Sequence, residues 1–127
     1  MPEEAPAPDA CSTRIVDAAR VESARSQLPA EAELEALALL FRLLGDVTRT
    51  RLLHALLEAG ELCVCDLSAA TSTPETNVSH ALRLLRTAGV VKARRDGRMV
   101  FYSLDDAHVR MLLDLSREHL RHAKGDR

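Results

Sequence analysis

The sequence predicts a mainly α-helical domain carrying a β-hairpin wing, a winged helix-turn-helix that works as a homodimer. Three observations carry this. In residues 61–86, ELCVCDLSAATSTPETNVSHALRLLR, Leu62, Val64, Leu67 and Ala70 set a short apolar rhythm that Thr71, Ser72 and Thr73 break. Val78, Ala81, Leu82 and Leu85 then recur at i, i+3, i+4 and i+7, so the stretch reads helix, short turn, helix. Residues 90–95 and 98–104 flank Asp96-Gly97, a strong signal for a two-residue hairpin turn. Finally, residues 31–44 place Leu34, Leu37, Phe41 and Leu44 on one helix face and Leu39, Leu40 and Leu43 on others. A helix apolar nearly all round is buried on two sides, and in so short a chain the second side is another subunit.

Ahead of these, residues 1–30 read as an N-terminal arm, Pro/Ala/Glu-rich to Cys11, with a weak short helix over 12–27 that Pro29 interrupts. The winged helix-turn-helix domain is expected over 31–123 and a short tail over 124–127. Thr48 is the expected N-cap of a helix in which Leu52, Leu53, Leu56 and Leu57 face inward and Gly60 supplies the stop. After the second helix of the motif Gly89 ends the turn, and Asp105 or Asp106 caps a last helix running to about Ala123, with Val109, Leu112, Leu113 and Leu120 on its apolar side.

A chain of 127 residues is one domain's worth, and 46% hydrophobic residues with two Phe, one Tyr and no Trp make its core aliphatic. The net charge of −2 argues against a nucleic-acid binder, but its distribution argues for one. Residues 1–46 carry net −5, 47–82 net −2, 83–98 net +5, and 99–127 are balanced. One compact basic block in an acidic or neutral chain is the footprint of a DNA contact surface. On the second helix of the motif, Thr76, Asn77, Ser79, His80 and Arg83 point outward, short hydrogen-bonding groups followed by a cation, suited to base edges and phosphates of duplex DNA. Lys92, Arg94, Arg95 and Arg98 make the hairpin a wing able to grip backbone or minor groove. No apolar run approaches the ~20 residues of a membrane span, and the N-terminus lacks the regions of a signal peptide, so the expected place is the cytoplasm, with no membrane partner. No phosphate cradle and no Cys–His pair outside two metal-ligand sets are visible, which argues against an enzyme and against a small-molecule substrate.

The first of those sets is Cys63-Val-Cys65. Alternate residues at a helix start or in an extended segment can point the same way and hold a soft ion between two thiolates. Cys11 is the only other cysteine, and folded over it completes a three-sulfur site favouring cadmium, lead or a trivalent arsenical. The second set is Asp106, His108, His119 and His122 on the last helix. His119 and His122 are neighbours on one face, but His108 and His119 are separated by roughly 16 Å along the axis. Two such helices crossing antiparallel about a two-fold bring three imidazoles and a carboxylate together, a tetrahedral set suited to zinc, twice per dimer. Asp106 and His108, two apart, meet only at the helix's first turn.

Glu61-Leu-Cys63-Val-Cys65-Asp-Leu, the helix through Val78-Ser79-His80-Ala-Leu-Arg83-Leu-Leu, the wing ending Val100-Phe-Tyr102-Ser-Leu, and Asp106-Ala-His108 with His119-Leu-Arg-His122 together resemble the ArsR/SmtB family of metal-responsive repressors. The resemblance runs from about Leu37 to His122. It implies a homodimeric repressor that sits on the operator of a metal-efflux or detoxification operon and releases it when metal binds. Within the family, Cys63, Cys65 and an arm cysteine resemble the cadmium/lead-type site, the arm coming from the same or the other subunit; the Asp/His set resembles the zinc-type site between C-terminal helices. Two departures bear on the metal. Ser68 stands where arsenic-responsive members have a third cysteine, and the arm offers one cysteine where cadmium-responsive members can have two.

Overall fold

The structure, a computed structural model, describes residues 14–125, which fall into two compact units parting between Ala36 and Leu37. The first contains α1 (Ala18–Gln27), capped by Asp17 accepting from the Arg20 amide, and the opening turns of α2 (Glu31–Leu44). The second holds the core, the helix-turn-helix and the wing.

There α3 (Val47–Ala59) starts two residues earlier than the expected Thr48 cap requires. Asp46 is the N-cap, accepting from the Arg49 amide at 3.0 Å, and its carboxylate also complements the helix dipole, which a threonine cannot do. Arg49 Nε and the Thr50 hydroxyl donate to the Leu43 and Leu44 carbonyls, satisfying acceptors that the end of α2 leaves open. Gly60 stops α3 with φ +88°, a conformation that glycine adopts without steric cost.

After Gly60 the chain is not helical at once, as its apolar rhythm suggests. Leu62–Cys63 form a short strand, β1, and α4 (Val64–Thr71) begins only after it. Ala70, expected inside, is exposed. Ser72 ends α4 in the left-handed region (φ 53°), and hydroxyls lock the turn: Ser68 donates to the Thr73 carbonyl, and Thr71 to the Leu67 carbonyl. α5 (Glu75–Thr87) then buries Val78, Ala81, Leu82 and Leu85, the four positions its periodicity marks.

β2 (Val91–Asp96) and β3 (Met99–Leu104) form the wing, with Asp96 opposite Met99. The two-residue turn is therefore Gly97-Arg98, one residue later than expected. Gly97 has φ +64° and Arg98 does not share a positive φ, as in a type II′ turn, where glycine takes the first position. The wing is not a bare hairpin. β1 pairs with β3 in a three-stranded antiparallel sheet of order β1-β3-β2, with Leu62 opposite Tyr102 and Cys63 opposite Phe101. Last, α6 (Ala107–Gly125) packs Leu113 into a core otherwise built from Leu52, Leu53, Leu56, Leu57, Leu67, the buried face of α5, Val90, Val91 and Leu104. Leu120, expected on the buried side of α6, is 62% exposed, because the core ends before that turn. No helix among the described residues is long and apolar enough to cross a membrane.

Candidate nucleic-acid interface and metal half-sites

Burying Val78, Ala81, Leu82 and Leu85 turns the other side of α5 to water. Thr76, Asn77, Ser79, His80 and Arg83 are all exposed there. Thr76, Ser79, His80 and Arg83 share one shallow depression with Glu75. Asn77, with Thr76 and His80, lines a second cleft against Asp46, Thr48 and Arg49 at the start of α3. The presented surface is thus wider than one helix, and takes in Thr48 and Arg49 of α3, which lie outside the basic block of residues 83–98.

Lys92, Arg94, Arg95 and Arg98 are exposed on the wing. Their bonding differs. Arg94 donates from Nε and Nη2 to the two carboxylate oxygens of Glu61, each at 2.9 Å, and its guanidinium lies 5.0 Å from the Phe101 ring centroid. The hydrogen bond and charge of Arg94 hold the Glu61 carboxyl below the usual carboxylate range, and Glu61 raises Arg94 in turn. Arg95, Arg98, Lys92 and Arg83 make no ion pair among the described residues.

The two cysteines occupy unlike surroundings. Cys63, in extended backbone at the N-cap of α4, is buried in the sheet; Cys65, in the first turn of α4, is exposed. The change from strand to helix between them removes the alternation that would have turned both thiols the same way. The carboxylate of Glu75, at the head of α5, pushes the Cys65 thiol up, helped by desolvation and by Cys63. Cys11 lies outside the described residues.

At the other end of the domain, Asp106 caps α6, its Oδ1 accepting from the His108 and Val109 amides at 3.0 and 3.1 Å. The Val109 amide foremost holds the Asp106 carboxyl below its usual range. Its Oδ2 lies 3.4 Å from His108 Nδ1, so the pair meets at the first turn, the one place a spacing of two allows it. His119 and His122 are placed farther along α6, and both are exposed. Steps of three or four residues connect His108, Met111, Leu115, His119 and His122 into one stripe. Within it Met111 and Leu115 are 55% and 59% exposed.

Among the described residues no three Cys, His, Asp or Glu side chains converge on one point. The donor chemistry fits metal in pieces: two thiols suit a soft ion, and imidazole with carboxylate suits zinc. Neither piece by itself closes a tetrahedral set. Where an arsenic-type third cysteine would stand, Ser68 is already engaged in the α4–α5 turn.

Residues 46–93 match the family described as "Bacterial regulatory protein, arsR family". Over 113 residues the chain is 35% identical to the "Cadmium resistance transcriptional regulatory protein CadC homolog" of Staphylococcus aureus, covering 89% of this chain and 93% of that protein. The crystal structure of the AntR antimony-specific transcriptional repressor is similar with a TM-score of 0.69 and 35% identity over 78% of this chain and 89% of its own. The homodimeric winged helix-turn-helix DNA-binding domain Mb0332 of Mycobacterium bovis is similar with a TM-score of 0.66 and 28% identity, over 76% of this chain and 94% of that one. The chain belongs to the ArsR family of bacterial regulatory proteins, and it is a DNA-binding transcriptional regulator of winged helix-turn-helix fold, not an enzyme.

Proposed function

We propose that the chain is a metal-responsive repressor acting in the cytoplasm, which binds double-stranded operator DNA as a homodimer and releases it when cadmium or lead engages Cys11, Cys63 and Cys65. The genes it controls serve metal efflux or detoxification. Thr76, Asn77, Ser79, His80 and Arg83 enter the major groove, and Lys92, Arg95 and Arg98 hold the backbone or minor groove. One observation carries the switch. Cys63 is at once the N-cap of α4 and the register partner of Phe101 in the wing sheet, so a ligand that draws on its thiol acts at the joint between the helix-turn-helix and the wing. A bound soft cation supplies the pull that ties this joint to the arm. The relative's name supports cadmium, and Ser68 weighs against arsenite. For release, metal must bind the DNA-free arrangement more tightly, and DNA must weaken metal binding by the same factor.

A second site, for zinc, is favoured by the stripe on α6. A two-fold near Leu115 lays the exposed Leu115 against its own copy, covers Met111, and brings Asp106 and His108 of one subunit to His119 and His122 of the other. Homodimeric Mb0332 supports a homodimer, which such a shared site requires.

The test is DNA release from a duplex the protein selects out of a random pool, titrated with cadmium, lead, zinc and arsenite. Cys63→Ser is expected to abolish the cadmium and lead responses, and His119→Ala a zinc response. Cadmium-driven release that persists in Cys63→Ser removes the thiols from the mechanism.

A further inference from the structure

The sheet that carries Cys63 is fastened to the wing by little backbone. β1 contributes only Leu62 and Cys63, each opposite one residue of β3. Phe101 stands between Cys63 on one side and Arg94 on the other, so Cys63, Phe101 and Arg94 form one row across the three strands. Glu61, directly before β1, reaches over β3 to take Arg94 in a two-pronged ion pair, both contacts 2.9 Å, while Phe101 lies under the guanidinium at 5.0 Å. The pair joins residues 33 apart in sequence and connects the outer strand β2 to the segment that leads into the thiols.

We propose that Glu61 and Arg94 are positioning residues that couple Cys63 to the wing: Glu61 withholds Arg94 from DNA and makes β2 follow any displacement of β1. The proposal rests on the reading that thiol-bound metal releases DNA. An Arg–carboxylate fork has directional preference that a lone point charge lacks, which suits it to holding a strand in place. As a half-exposed surface pair it adds little to stability, so its removal leaves the fold intact. Arg94 is thereby distinguished from its neighbour Arg95, which has no acidic partner among the described residues and remains available to phosphate.

The experiment uses the full-length dimer and a fluorescent duplex selected from a random pool, comparing parent, Glu61→Gln, Arg94→Gln, the double variant and the charge swap Glu61→Arg/Arg94→Glu. Fold, dimer and the cadmium–thiolate absorption band are expected to persist in all. The factor by which cadmium weakens DNA binding is expected to fall about 3- to 10-fold in Glu61→Gln, a size typical of residues on a coupling path. The double variant is expected to lose no more than either single one, and the swap to recover part of the coupling. Arg94→Gln is expected to leave the salt dependence of DNA binding unchanged, whereas Arg95→Gln lowers its slope by about one. The proposal is overturned if Glu61→Gln retains the parent's cadmium factor, or if Arg94→Gln lowers the salt slope as Arg95→Gln does. Should cadmium fail to release DNA from the parent, the metal reading fails instead. The clamp is then judged on metal-free DNA affinity, where non-additive effects of Glu61→Gln and Arg94→Gln support it and additive effects overturn it.

Discussion

Phe41 offers the sharpest test of the dimer. It stands on α2 with 59% of its surface in water and lines an apolar groove with Leu44, His54, Leu112, Leu113 and Leu120. A phenylalanine presents on the order of 200 Å², so roughly 120 Å² of Phe41 is left for a partner to cover. At about 25 cal/mol per Å² that area is worth ~3 kcal/mol. Alanine keeps part of it, so Phe41→Ala costs ~2 kcal/mol per copy, and a two-fold interface contains the residue twice, or ~4 kcal/mol in all. Since ~1.4 kcal/mol is tenfold, the dimer should dissociate about 10³-fold more readily. Sedimentation velocity across nanomolar to micromolar protein reads this directly. Because the side chain is exposed in the single subunit, its loss should not change helix content. A dimer dissociation constant within about threefold of the parent's would refute the assignment of this face to the interface.

Arg95→Gln should weaken binding to all duplex sequences alike and lower the slope of log affinity against log salt by about one; an unchanged slope would show that the wing cation touches no phosphate. Ser72 holds a left-handed backbone without being glycine, so Ser72→Gly should stabilise the fold by up to ~1 kcal/mol, read as a higher urea midpoint; a lower midpoint would mean that Ser72 is not strained there. Glu61, depressed by Arg94 and then Lys92, contributes stability present above its unfolded-state pKa and lost as pH falls through its lower folded value. In Arg94→Gln its NMR titration midpoint should rise toward the ordinary carboxylate range; an unmoved midpoint would mean the pair is absent in solution.

Local pattern accounted for much of this fold. The spacing of Val78, Ala81, Leu82 and Leu85 survives into the structure unchanged, because a helix buried on one side leaves its period in the chain. The wing's existence was legible from Asp96-Gly97, but not its register: the glycine took the first turn position, and only the pairing of Asp96 with Met99 reveals that. β1 was illegible because two residues inside an apolar run read equally well as the start of a helix; its reason for being is Tyr102 and Phe101, some forty residues on. Asp46 outcompeted Thr48 as a cap through a charge effect that spacing does not rank. The candidate site was legible as residue types and half-legible as geometry. Asp106 and His108 meet as their position at a helix start demands. Cys63 and Cys65 do not share one environment, since a strand-to-helix change runs between them. Glu61 and Glu75 left no mark in the sequence, because an acid's role depends on which distant cation or thiol the fold brings to it.

Metal and DNA, on this mechanism, bind competing arrangements of one dimer. Cadmium affinity measured on the same preparation with and without a saturating selected duplex tests that competition most directly. DNA should weaken cadmium binding by the same factor by which cadmium weakens DNA binding, and both factors should collapse to unity in Cys63→Ser. Equal cadmium affinity for the free and the DNA-bound dimer would contradict it.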